Sequence, residues 1–194
     1  FSFTSSRQLK NKCFVLDTAM ITSYFDELAT ASASYSQTAN SSQAGTLTLG
    51  SSTYLFAANG FEYAEVIEKS IMGAVFQYQA LNYYLASPQM SVDNTTAVDP
   101  ANGAYYTQLE HHWDEAFGYF GVPIDFPATL PTEFWGKYCN SADAALGSNF
   151  TMMYNFKKGR AAIGANKTAD RDAAIVQIRT MWEKIAARKA MDYL

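Results

Sequence analysis

Phe61-Glu62-Tyr63-Ala64-Glu65-Val66-Ile67-Glu68-Lys69-Ser70-Ile71-Met72-Gly73-Ala74-Val75-Phe76-Gln77-Tyr78-Gln79-Ala80-Leu81-Asn82-Tyr83-Tyr84-Leu85-Ala86 is a stretch with helical spacing, unbroken by proline until Pro88. At about 100° per residue, Ile67, Ile71, Ala74, Tyr78, Leu81 and Leu85 share one side. Met72, Val75, Phe76 and Tyr83 spread apolar area round most of the rest. A helix apolar nearly all round is buried on several sides, so residues 61–86 read as the central helix of a helical protein. Glu65 and Lys69 stand at the i,i+4 spacing of an ion pair, which burial would make compulsory.

Working outward, residues 11–36 carry Phe14, Ala19, Ile21, Phe25 and Leu28 at mostly three- and four-residue intervals and predict a first helix. From Ser36 to Thr53 the chain is Ser, Thr, Gln, Gly and Ala anchored only by Leu47 and Leu49, a polar loop holding at most a short extended piece. A second polar loop, Ser91 to Gly103, precedes a helix over about 104–120 that Gly121-Val122-Pro123 stops. Three prolines make 123–132 an extended connector, and Thr132 is placed to cap a helix reaching about Tyr138. Another helix is expected from Ala142 to about Arg160, and a last one carries Ile175, Ile178, Trp182, Ile185 and Lys189 on one stripe. These elements predict an all-α, single-domain helical bundle of five to six helices over 1–194. It is loop-rich at 36–60 and 88–103, with a Pro-rich connector at 121–132.

A chain of 194 residues that is 48% hydrophobic has ample material for one core. Only 16% of residues are charged, while 13 Tyr and 13 Phe supply apolar and amphipathic rings, a composition that interfaces favour. The net charge of -4 and dispersed basic residues exclude a phosphate-binding face, so no nucleic-acid partner is expected. The one basic knot, Lys157-Lys158-Gly159-Arg160, is short. No apolar run nears the roughly 20 residues of a transmembrane helix, and the absence of an initiator Met suggests a trimmed chain with its targeting segment removed. Cys13 and Cys139 suit either one disulfide or two separate thiols. Sequons begin at Asn40, Asn94, Asn149 and Asn166, which favours an extracytoplasmic setting, whether periplasmic, lumenal or secreted.

Both histidines fall in Leu109-Glu110-His111-His112-Trp113-Asp114-Glu115. On a helix, Leu109, Trp113, Ala116, Phe117 and Phe120 form an apolar stripe about 100° wide, opposite His111 and Glu115, with His112 on the flank. His111/Glu115 and His112/Glu115 are therefore the pairs able to converge. An imidazole and a carboxylate supply half of a divalent metal shell, iron or zinc being the cofactor these residues suit. Glu62, Glu65 and Glu68 are the natural donors of the remainder. The same residues also write a solvated ion pair, or a buried network tying this helix to Glu65 and Lys69. No nucleophile elbow, phosphate loop or activated thiol is present.

Tyr54-Leu55 with Asn59-Gly60-Phe61-Glu62, the run Glu68 to Ala74, the run Glu110 to Gly121, and Lys158-Gly159-Arg160-Ala161-Ala162-Ile163 resemble a bacterial domain of unknown function, family 4856. That resemblance, spread over most of the chain after about residue 40, implies an exported or lipoprotein-derived setting and no established activity. His112-Trp113-Asp114-Glu115 is also similar to the His-x-x-Glu part of the Gly-x-His-x-x-Glu motif of imelysin-like proteins, with Glu110 where that motif has Gly. This similarity implies a metal role for His112 and Glu115.

The expected function is non-catalytic: an extracytoplasmic domain binding a divalent metal or small ligand near His112 and Glu115, with His111, Glu62 or Glu65 completing a metal shell. The alternative is an interaction or structural subunit with a protein partner in a larger, membrane-associated assembly. A metal-dependent hydrolase with Glu115 as general base ranks behind both.

Overall fold

The computed structural model describes residues 8–194, and the chain is mostly helical. It divides into two compact units, residues 1–78 and 79–194. Seven α-helices and one two-stranded sheet stand among the described residues. No helix among them is long and apolar enough to cross a membrane.

In the first unit, α1 (Thr18–Ser32) packs on α2 (Tyr63–Ile71), and a hairpin of β1 (Gly45–Leu49) and β2 (Ser52–Phe56) lies between them in sequence. Ala31, Ala57, Tyr63 and Ile67 form the core, with Tyr24, Leu28, Leu55 and Ile71 against it. The first helix starts at Thr18 and not near residue 11, because residues 9–17 are taken up by a 3-10 turn and further turns. The expected extended piece is a full hairpin. Leu49 pairs with Ser52 across Gly50-Ser51, and Gly50 takes φ +63°, which a side chain opposes.

The helix predicted over 61–86 is α-helical only to Ile71. Met72–Gln77 close the first unit and Gln79–Tyr84 open the second as π-helical turns, in which Leu85 N–H donates to Ala80 O, five residues back. A sequence apolar all round has no narrow stripe that only the 3.6-residue turn keeps facing one way, so wider turns still bury Met72, Val75, Ala80 and Leu81.

In the second unit, α3 (Ser87–Met90) leads to α4 (Gln108–Phe120), followed by α5 (Phe134–Leu146), α6 (Ser148–Gly164) and α7 (Thr168–Met191). The core is aromatic. Phe120 meets Trp182 edge-on at 4.9 Å between centroids, and Trp182 meets Trp135 at 5.7 Å. The Trp182 indole N–H is buried without an acceptor among the described residues. The Pro-rich connector buries Phe126, whose bond to Pro127 is cis. The break between the next two helices falls at Gly147, φ +61°, later than the composition suggested; Asp143 accepts from Asn149 N–H and so caps α6 from the preceding helix.

Candidate functional site

α4 starts where its capping box places it. Thr107 Oγ1 accepts from Glu110 N–H, and Glu110 Oε2 accepts from Thr107 N–H, so the helix begins at Gln108 and not near residue 104. Gly121, φ +75°, ends it as expected. The predicted stripe is core at Leu109, Trp113, Ala116 and Phe120, while Phe117 is only half-buried.

The half-buried edge of that stripe opens on a cleft of about 490 Å³ between α4 and α6. Trp113, Phe117, Met153 and Phe156 form its apolar lining, and Ile124, 82% exposed, stands at its mouth. Trp113 is the deepest of these, and its Nε1 donates to Phe156 O at 3.0 Å. The ring can lie on α6 only because residue 159 is glycine: a Cβ there would overlap Trp113. Asp114, Lys157 and Arg160 are the charged lining. Arg160 Nη1 donates to Glu110 at 2.6 Å, and its Nε donates to Asp114 at 3.0 Å. Burial alone would raise the Glu110 carboxyl. The Thr107 N–H and the Arg160 guanidinium outweigh it, and the pKa lies below its ordinary value.

The opposite side of α4 carries the histidines. His111 stacks on Tyr106 at 5.0 Å between centroids, with Nε2 3.6 Å from Glu115, too long for a hydrogen bond. Both ring nitrogens of His112 are engaged, Nδ1 with Gln89 O at 3.1 Å and Nε2 with the Gln108 amide at 2.8 Å. Tyr84, in the π-helical turn, stacks on Tyr119 and meets the His112 ring edge-on. Burial, then the charge of Glu115, pushes its phenol up to about 12. Glu62 and Glu65 belong to the first unit and are engaged there. Glu62 accepts from Glu65 N–H to cap α2, and Lys69 pairs with Glu65 at 3.3 Å and with Glu68 at 2.6 Å. No group of three or more His, Cys, Asp or Glu side chains able to hold a metal forms among the described residues.

The family described as a domain of unknown function (DUF4856) matches residues 4–194. The chain belongs to the DUF4856 family. No curated protein and no solved structure matches it.

In this DUF4856 domain the partner of Glu110 and Asp114 is Arg160, which sequence reasoning passed over as part of a short basic knot. The signal was Gly159, a helix-disfavouring residue inside an otherwise good helix, which marks a close approach. The cysteines are free thiols; Cys139 is fully buried, and burial raises it to about 12. Of the sequon residues, Asn149 is also buried, accepting from Cys139 Sγ–H at 3.5 Å and donating to Asn140 at 2.9 Å. Asn94 is tied to Ile163 O and Asn166.

Proposed function

We propose that the domain is a non-catalytic binding module, working outside the cytoplasm, whose ligand enters the cleft between α4 and α6. The observation that carries this reading is the cleft itself. It falls within the roughly 300–1,000 Å³ of small-ligand sites and combines an apolar lining with a few charged groups at one edge. No nucleophile is paired with an activating base there, so the arrangement suits retention and not turnover. A neutral apolar dye such as Nile red should bind the native protein one-to-one, and Phe117→Asp should abolish that binding without unfolding the domain. Absence of native-state binding, or binding unchanged by the substitution, removes the reading. Fractionation of cells carrying the natural full-length protein tests the location.

A second reading places a divalent metal at His112 and Glu115. The bond of His112 Nδ1 to Gln89 O orients the ring as the outer partner of a metal-binding histidine does. Gln108 would have to release Nε2, and donors beyond α4 would have to complete the shell. Metal analysis of purified protein, with melts in the presence and absence of chelator, decides it: no metal and an unchanged melt end this reading.

A further inference from the structure

The charged groups of the cleft are unequal in sign and in how far they are satisfied. Asp114 contributes one negative charge to the lining, whereas Lys157 and Arg160 contribute two positive ones, in a chain whose net charge is -4. Asp114 is already bonded to Arg160. Lys157 makes no ion pair among the described residues. The guanidinium of Arg160 is held at Nε and Nη1 by two carboxylates, and its Nη2 makes no hydrogen bond among the described residues. A planar cation fixed on two sides, with a third donor group unspent, costs little further ordering to bind an anion. Beside it lie the rings of Trp113, Phe117 and Phe156, which take up an apolar body.

We propose that the cleft binds a free small amphipathic acid, with its carboxylate between Lys157 and Arg160 and its hydrocarbon or aryl body against Trp113, Phe117 and Phe156. This rests on the cleft being a binding place and adds the charge and class of its occupant. Glu110 and Asp114 together balance Arg160, so Lys157, which makes no ion pair among the described residues, is the cation left at the lining for a monoanion. Both carboxylates at that edge, Glu110 and Asp114, are already paired with Arg160, which leaves neither to hold an ammonium group.

Three probes of equal length, decanoate, decanol and decylammonium, test it by calorimetry below their aggregation concentrations, alongside Nile red. Decanoate should bind about tenfold tighter than the other two, as expected for a charge-assisted contact at a half-exposed edge. Lys157→Ala should bring decanoate close to decanol and leave decanol unchanged, while Lys158→Ala, on the neighbouring face, changes neither. Binding of decanoate should weaken as salt rises. Equal affinities for the three probes, or a preference for decylammonium, overturn the inference while Nile red binding keeps the cleft reading intact. Binding of none of the probes, Nile red included, overturns both. Preference for phosphatidylglycerol vesicles over soluble decanoate overturns the free acid as occupant.

Discussion

The two sides of α4 hold similar numbers of polar groups and use them differently. On the histidine side, His112 is engaged at both ring nitrogens, and His111 lies flat on Tyr106 with Glu115 beyond hydrogen-bond reach. On the cleft side, two carboxylates fix one arginine at the edge of an apolar hollow that no side chain fills. A dense cluster of titratable residues in sequence therefore need not coincide with the hollow that packing leaves open. That hollow opens where packing stops short, at the half-buried Phe117.

Trp113→Ala should break this contrast most severely. It removes the floor of the cleft and a buried ring, costing about 3–5 kcal/mol in denaturant unfolding. Gly159→Ala tests the same contact from α6. The added methyl group meets the Trp113 ring, and a net loss of about 1–2 kcal/mol is expected, since helix propensity gained at that position offsets part of the overpacking. An unchanged melting temperature would show that the ring is not seated on α6. Arg160→Met should cost about 1 kcal/mol at neutral pH, the pair being partly exposed. The pH dependence has a definite sign. Glu110 has a lowered folded pKa, so its contribution is present above its ordinary 4.5 and is lost as pH falls through the folded value. The gap between parent and Arg160→Met should therefore narrow on acidification, which urea melts across that range would read. On the other side, His112→Ala should cost about 1 kcal/mol through its two hydrogen bonds. His111→Ala should stay within about 0.5 kcal/mol. A larger loss at His111 than at Trp113 would invert the comparison.

The helical class was legible because long segments such as 61–86 and 168–191 leave no alternative to helix. The ends of α4 were legible to different degrees. Gly121 announces its own cap, whereas Thr107 does so only when Glu110, three residues on, is read as its reciprocal partner. The hairpin was readable in Thr46-Leu47-Thr48-Leu49-Gly50-Ser51, an alternation closed by a Gly-Ser turn, but its small polar residues made it look like loop. The π-helical turns left no such mark, since hydrophobic residues on all sides fit either helix width. The cleft could not be read along one helix at all. It depends on Gly159 admitting Trp113 and on Arg160 reaching back to Glu110, fifty residues earlier in the chain, and only folding brings those together.

Burial of Asn149 has a practical consequence for making this protein. Its sequon is intact, and a eukaryotic secretory host glycosylates chains before they fold, when the later burial of that side chain offers no protection. A sugar added there would occupy the amide that must donate to Asn140, at the corner where Asp143 and Cys139 also meet α6. Chains modified at Asn149 would be retained or degraded, and those secreted would be the unmodified fraction. Yield from such a host should rise when Ser or Thr at the third sequon position, Thr151, is replaced by Val, or when expression is moved to a bacterial host.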